Sequence, residues 1–234
     1  MLMVCMASPV TPETSNVTDH AAPGAREIVQ RMQQHDAEQS RQLNHYQAMR
    51  HYEVSYAGLG TSIAAKMDVE VVFDRASGKN FRIVSQSGSK LLCDMVLKRA
   101  VDSELEASQD RMSNALTPEN YQFELAGSGA VDGRPAYILQ VKPWHANKFL
   151  YRGRIWVDAE DFALVKVEAE PAKNPSIWLS RTSIEYSNAK TEGMWLPAKN
   201  HSESRIRVGG TAVLSIDYGA YSVAVARPLT AEAF

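Results

Sequence analysis

The stretch from Ile63 to Asp74, with the sequence IAAKMDVEVVFD, decides the fold class. Its odd-numbered positions are apolar up to Phe73, whereas Lys66, Asp68 and Glu70 stand between them. This period of two is typical of a long β-strand with one buried face and one wet face. Because a slip of one residue would expose the whole apolar set, the register of this strand is strongly specified.

Strands with the same alternation flank this stretch on both sides. Before it, Tyr52 and Tyr56 share the apolar side of a strand that ends at the Gly58-Leu59-Gly60 turn. After it, Phe81 and Ile83 continue the inward face of a third strand. Three such segments joined by tight turns indicate an antiparallel meander.

The alternation resumes after residue 120 and continues to Tyr218, where seven more strands are predicted. Turns at regular intervals favour one curved antiparallel sheet. We expect an α+β, mostly β fold, in which about ten or eleven strands form an incomplete barrel. The inward parity is least certain between Phe149 and Val157, because Leu150 and Trp156 compete with Ile155 for the inside.

Two segments break the period of two and predict helices. Residues 25–46 contain neither Gly nor Pro and are rich in helix formers. Residues 91–116 also lack both, and their apolar residues recur at helical spacing. Ser89 fits the N-cap of this second helix, and Pro118 lies just beyond its end. We expect the inserted helix on the concave side of the sheet, with the following side chains turned inward: Met95, Val101, Leu105 and Met112.

Length and charge bound the functional class. The chain has 234 residues, with 25 Lys and Arg against 27 Asp and Glu, a net charge of -2. This balance argues against a nucleic-acid partner and gives no overall steering toward acidic membranes. Nothing after residue 25 is typical of a linker, so we expect residues 25–234 to form one domain.

The first 24 residues differ from the rest of the chain. Residues 7–24 are rich in Ser, Thr and Pro and contain no Lys, Arg or aromatic residue, which predicts a disordered leader or tether. The segment from Leu2 to Cys5 is similar to the tail of a bacterial lipoprotein signal, although Val4 stands where a small residue is usual. One interpretation is an export signal with lipid attachment at Cys5, and the other is a leader with a chance cysteine.

A search for catalytic patterns finds none in the sequence. The six histidines form no metal-binding pair, and no nucleophile elbow, phosphate loop or dinucleotide fingerprint is present. Asp158, Glu160 and Asp161 are interpreted as a solvent-facing hairpin tip, and Cys93 as a buried, inert thiol. We therefore expect no catalytic residue, no metal site and no cofactor.

Three later segments carry a family resemblance. They are GRIWVD at residues 153–158, ALVKVE at 163–168 and WLP at 195–197, and they follow the N-terminal helix and the long early strand in that order. This arrangement resembles the LolA/LolB-like superfamily of outer membrane lipoprotein-sorting proteins, above all its bacterial exported members. The resemblance covers roughly residues 25–224.

The resemblance implies a periplasmic half-barrel whose mouth is closed by helices and which binds lipid or lipoprotein acyl chains as a carrier or chaperone, not as an enzyme. The alternative is an RseB-like envelope sensor or scaffolding module that binds a protein partner. A membrane surface, contacted peripherally, is a further partner that we consider. Arg75 takes the place of the family's lid-holding arginine. The side chains expected to line the cavity are Tyr52, Tyr56, Met67, Val69, Val71, Phe73, Phe81, Ile83, Met95, Leu105, Tyr137, Leu139, Ile155 and Val157.

Overall fold

The computed structural model of the protein describes residues 22–174 and 176–225. The sequence-based expectations for Cys5 and for nearly all of the leader fall on residues outside these ranges. The described residues contain ten strands and a small number of helical segments.

One antiparallel sheet contains all ten strands. Its spatial order is β3-β2-β1-β10-β9-β8-β7-β6-β5-β4, so β3 and β4 are its two edges and the sheet does not close into a barrel. The single, unclosed sheet expected from the alternation is therefore confirmed. The strands are β1 (Leu43–Gly58), β2 (Thr61–Asp74), β3 (Gly78–Gly88), β4 (Tyr121–Val131), β5 (Arg134–Pro143), β6 (Tyr151–Asp158), β7 (Leu164–Pro171), β8 (Leu179–Thr191), β9 (Met194–Ile206) and β10 (Thr211–Val225).

Three hairpins turn through pairs of residues with positive φ. Leu59-Gly60, Asp132-Gly133 and Glu192-Gly193 have φ values of 50° to 52° at the first position and 75° to 82° at the second. Such type I′ turns match the right-handed twist of the strands that they join. Asn and Asp are the residues that best tolerate the first position, so Leu59 is an unusual occupant.

The first helix, α1, runs from Ala25 to Gln42. The sequence-based expectation of a helix through Tyr46 is wrong at this end, because Leu43 already pairs with Val225 of β10. Tyr46 consequently belongs to β1 and stacks on Phe73 of the neighbouring strand.

The inserted helix consists of α2 (Lys90–Leu92), a π-helical segment (Cys93–Leu97) and α3 (Lys98–Gln109). Ser89 is its N-cap as expected, since its hydroxyl accepts a hydrogen bond from the Leu92 amide at 3.5 Å. The expectation of one helix as far as Leu116 is wrong. The chain leaves the helix at Asp110, whose carboxylate accepts from the Ser113 amide and starts a short helix, α4 (Arg111–Asn114).

The hairpin between β6 and β7 is organised by Asp158. The interpretation of this residue as part of a solvent-facing tip is wrong, because its carboxylate is almost fully buried. It accepts hydrogen bonds from Arg134 Nε at 2.6 Å and from the amides of Glu160 and Asp161 at 3.0 and 2.8 Å. Burial alone would raise the pKa of Asp158, but Arg134 and the two amides outweigh it and lower that pKa.

Replacing Asp158→Asn should lower the free energy of unfolding at neutral pH. It should also make that free energy fall less steeply as the pH is lowered. The folded-state pKa of Asp158 lies below its unfolded value of about 4, so its contribution is present above that pH and disappears as the pH falls through the lower folded value. Urea unfolding between pH 7 and pH 3 measures both effects, with the exposed-turn variant Asp132→Asn as control. Parallel pH curves for wild type and Asp158→Asn would contradict this account.

Candidate functional site

The concave face of the sheet is covered by two helices, each at its own end. The inserted helix packs on β1, β2 and β10 through Leu92, Cys93, Leu97 and Val101. The first helix, α1, packs on the strands from β4 to β7 through Ile28, Val29 and Met32. Cys93 is buried here, as the sequence indicated.

The π-helical segment determines which side chains of the inserted helix face the sheet. Its wider turn brings Leu92 into line with Leu97, and both are buried. At about 100° per residue, Glu104 lies only about 20° from Leu97 around the helix axis, whereas Leu105 lies about 80° away. Glu104, a charged residue, therefore continues the buried stripe.

Three side chains that were expected to turn inward do not. Met95 and Leu105 are exposed because they lie beside the stripe that contains Leu97 and Val101. Met112 is 88% exposed because it follows the helix break at Asp110. Only Val101, of the four expected side chains, is buried against the sheet.

Arg50 lies at the centre of the face that the inserted helix covers. It stands on β1 between Val69 of β2 and Tyr218 of β10, and its side chain is completely buried. Its guanidinium lies over the rings of Tyr218 and Phe81, at 4.5 Å and 5.6 Å from their centroids. A cation is thus held in the middle of an aromatic interior.

Glu104 joins this cation to the inserted helix. Arg50 Nη1 donates a hydrogen bond to Glu104 Oε2, and Lys79 Nζ of β3 donates to Glu104 Oε1 at 3.1 Å. Two cations therefore share one carboxylate, which leaves a formal charge of +1 in this cluster. We call Arg50, Glu104 and Lys79 the interior charge cluster.

One edge of the Arg50 guanidinium has no partner within the part of the chain that the structure describes. Its buried Nε and Nη2 atoms meet no hydrogen-bond geometry, and neither does the hydroxyl of Tyr52, two residues along the same face of β1. The hydroxyls of Tyr52 and Tyr221 nevertheless lie close enough to interact with the guanidinium. Nε and Nη2 form the fork with which arginine binds a carboxylate or phosphate through two parallel hydrogen bonds. Leaving such donors unmet in the interior is costly, so this edge is suited to an anionic guest.

The protonation states of the cluster are clear from its surroundings. Burial alone would lower the pKa of Arg50, but Glu104 raises it above its ordinary value. Burial alone would raise the pKa of Glu104, but Arg50 and Lys79 bring it below its ordinary value. Burial raises the pKa of Tyr52 and that of Tyr218. At neutral pH Arg50 and Glu104 are ionised, and Tyr52 and Tyr218 keep their protons.

The residues predicted to line a cavity fall into two groups instead of one. Tyr52, Met67, Val69 and Val71 are buried under the inserted helix, with Tyr56, Phe73 and Phe81 packed against them. Leu139, Ile155 and Val157 are buried under α1, with Tyr137 packed beside them. Ile83 is exposed on the edge strand β3, and Trp156 faces the opposite side of the sheet from Ile155. Contact of these residues with a ligand stays a prediction.

Arg75 holds the end of the first helix. Its guanidinium donates to the carbonyl oxygens of Leu43, at 2.8 Å from Nη2, and of Ser40 and Arg41. These carbonyls belong to the last turn of α1 and the residue after it, where a cation is favourable. Among the contacts of the described residues, Arg75 therefore touches α1 and not the inserted helix.

Sequence reasoning missed the interior charge cluster for two reasons. Arg50 and Tyr52 lie on the same face of β1. The helix expected to run through Tyr46 placed Arg50 near the junction of helix and strand, where this alternation was not applied. Glu104 lies seven residues after Leu97, two full turns, and that spacing is the signal that could have revealed it.

Other classes of site were also sought among the described residues. No three His, Cys, Asp or Glu side chains there are grouped as metal ligands. No helix within those ranges has the length and apolar character needed to cross a membrane.

The fold and its interior define a helix-covered, open antiparallel half-barrel. No family model and no curated relative matches this chain. Several solved structures are similar to it at low sequence identity, and three of them follow. A LolA superfamily protein from Nitrosomonas europaea is 14% identical, with 88% of this chain and 96% of that chain covered and a TM-score of 0.38.

A DUF1329 family protein from Desulfovibrio piger is 14% identical over 88% of this chain and 96% of that chain, with a TM-score of 0.44. An outer membrane lipoprotein-sorting protein domain from Vibrio parahaemolyticus is 10% identical over 88% of this chain and 95% of that chain, with a TM-score of 0.42. The superfamily that the sequence segments resemble is thus represented among these structures. Similarity at this level concerns the course of the chain and assigns no function.

A double-mutant cycle should show strong coupling between Arg50 and Glu104. Glu104→Leu should cost roughly 3 kcal/mol, because it leaves the fully buried charge of Arg50 without its partner. Arg50→Met should cost less, because Glu104 is one-quarter exposed and keeps Lys79. The double variant should cost clearly less than the sum, since it removes both charges. Urea unfolding gives the four free energies, and the exposed Lys66–Glu53 pair is the control, for which we expect near-additivity. Additive losses at Arg50 and Glu104 would contradict the account.

Proposed function

We propose that this protein binds acyl lipids or lipoprotein acyl chains on its concave side, and that the anionic head of a single-chain lipid lies at Arg50. The carrying observation is the buried Nε and Nη2 edge of Arg50, which has no partner among the described residues. If the inserted helix only filled the interior, apolar side chains would suffice, and neither this cation nor its free donors would be needed.

The surroundings of Arg50 suit an amphiphile better than a small anion. The unpartnered edge lies among the apolar and aromatic side chains of β1, β2 and β10, including Met67 and Val69. A carboxylate or phosphate would balance the +1 charge of the interior charge cluster, and an acyl chain would find apolar contacts next to it. The ligand head would share Arg50 with Glu104, which also joins the inserted helix to the sheet.

A strip between the two helix-covered regions offers a path for the acyl chain. Strands β8 and β9 contribute Thr182, Ile184, Ser202 and Ser204 to the concave side, by their register with Leu214 of β10. These four side chains belong to neither of the two clusters under the helices. Their small size suits a strip over which a chain can lie.

The same proposal places the protein in the periplasm, as a binding protein rather than an enzyme. The support is the resemblance carried by residues 153–158, 163–168 and 195–197, together with the polar composition of residues 7–24. Fractionation of the cells in which the protein is native, with immunodetection, tests the compartment. Recovery with cytosolic markers alone would contradict it.

The head-group claim is tested with two ligands of equal chain length. Wild type should bind palmitate roughly tenfold or more tightly than hexadecanol, because hydrogen bonds to a charged group add about 1.5 to 3 kcal/mol. Displacement of a fluorescent fatty acid measures both affinities. Arg50→Met should abolish the preference, whereas the exposed Arg82→Met should retain it.

Two results would count against this function. If wild type bound neither ligand, amphiphile binding itself would be wrong. If Arg50→Met bound palmitate with unchanged preference, the head-group site would be wrong. Thermal melts of each variant establish that it is folded, and the Arg50→Met/Lys79→Met/Glu104→Leu triple variant supplies a second neutral interior.

A protein-binding module is the second candidate function, and the unpaired edge strand β3 favours it. Ile83 and Val84 are exposed on this edge, which presents backbone groups to which an extended peptide can add as a further strand. Val84→Lys should then abolish capture of an envelope protein that Arg50→Met still captures. Equal capture by wild type and Val84→Lys would contradict strand addition at β3.

A further inference from the structure

The two ends of the sheet differ in the connections that they carry. The meander places four short connections at each end. One end carries residues 59–60, 144–150, 172–174 with 176–178, and 207–210, and the opposite end carries residues 75–77, 132–133, 159–163 and 192–193. The long connection 89–120, which contains the inserted helix, also begins and ends at the first end.

The first of these ends exposes large apolar side chains. Leu59, Trp144, Ile177, Trp178 and Val208 are each between 58% and 80% exposed. Among the described residues, the connections of the opposite end contain no large apolar side chain with comparable exposure. Isolated exposed apolar residues are ordinary, but five in the connections of one end are not.

Three of these connections lie side by side, since β1, β10, β9 and β8 are neighbours in the sheet. The Tyr56 hydroxyl donates to the Gly209 carbonyl at 3.0 Å, and the Arg207 amide donates to the Trp178 carbonyl at 2.8 Å. These bonds join the turn after β9 to β1 and to the segment before β8. We call Leu59, Ile177, Trp178 and Val208 the apolar rim.

Leu59 occupies its place in the apolar rim against its backbone preference. Its φ of 52° belongs to the left-handed region, where a non-glycine residue is uncommon and Asn or Asp is the usual exception. The corresponding positions of the other two such turns are Asp132 and Glu192. An exposed leucine at this position gains nothing from folding, which points to a use outside the fold.

Charge divides between the ends in the same way. The short connections of the apolar end contain Lys148, Lys173 and Arg207 and no acidic residue, a formal charge of +3. The long connection 89–120 contains six acidic and four basic residues, so the formal charge of this end with it is +1. The connections of the opposite end contain four acidic residues and one basic residue, a formal charge of -3. Lys148 pairs with Glu106 of the inserted helix, so Lys173 and Arg207 are the cations to consider first. The net charge of -2 for the whole chain conceals this separation.

We infer that the apolar rim docks the half-barrel, end on, to the surface of an anionic phospholipid membrane. Apolar tips from separate connections at one end suit a flat surface, and tryptophan is favoured at the boundary between headgroups and acyl chains. The basic residues among those tips complement anionic headgroups, and the acidic opposite end would face away. This surface is separate from Arg50, so the inference does not depend on the proposed ligand.

Flotation with vesicles tests this surface on the full chain. Wild type should bind vesicles that contain phosphatidylglycerol, bind phosphatidylcholine vesicles at least tenfold more weakly, and lose affinity as salt rises. Trp178→Ser/Val208→Ser should reduce the binding at least tenfold. Leu125→Ser, at an exposed position on the other edge strand, β4, is the matched control and should bind like wild type.

The outcomes separate the membrane surface from the ligand site. Arg50→Met should still float with the vesicles, and the Trp178→Ser/Val208→Ser variant should still bind palmitate with its melting temperature unchanged. No binding of wild type to phosphatidylglycerol vesicles would overturn the inference. Equal binding by wild type and the rim variant would also overturn it, because the apolar rim would then not be the contact.

Discussion

The hydrogen-bonded ion pair between Arg50 and Glu104 is the interaction on which the rest of the interior depends. It joins the middle of β1 to the inserted helix, and both groups lie in the interior of the half-barrel. A buried pair of this kind adds little net stability over well-packed apolar residues, yet breaking one side of it is costly. Its value is in specifying one position for the helix, and in keeping a cation where an apolar core would have none.

The helices divide the concave face because neither is long enough to cover ten strands. The buried residues of α1 pack on β4 to β7, and those of the inserted helix pack on β1, β2 and β10. The strip along β8 and β9 lies between them and carries short polar side chains such as Ser202 and Ser204. An interior divided in this way has apolar walls, a fully buried cation, and a strip of mostly small side chains between the two helices.

The sequence predicts the sheet well and the site poorly, for physical reasons. The structure contains the strand predicted from the period-two alternation between Ile63 and Phe73, because a strand with one wet face cannot slip its register. The inserted helix is also found, but a 3.6-residue period cannot anticipate the π-helical segment, so Met95 and Leu105 are expected on the wrong side. The ion pair between Arg50 and Glu104 is not predicted, because charged residues are normally assigned to the surface.

The apolar rim shows a second limit of prediction from sequence, which concerns residues brought together by topology. Leu59, Trp178 and Val208 are far apart in the sequence, and only the strand order brings their connections to one end. The same holds for the separation of charge between the two ends, which a net charge cannot express. Topology is therefore the missing information in both cases, not residue type.

The most direct test of the central claim is the NMR signal of the Arg50 Nε–H group. Burial should slow its exchange with water enough to make it visible, and Arg50→Lys identifies it by its absence. Titration with palmitate should shift this signal strongly while the exposed Arg82 signal stays in place, and hexadecanol should shift it far less. Saturable binding of palmitate with an unmoved Arg50 signal would show that the interior cation does not hold the ligand.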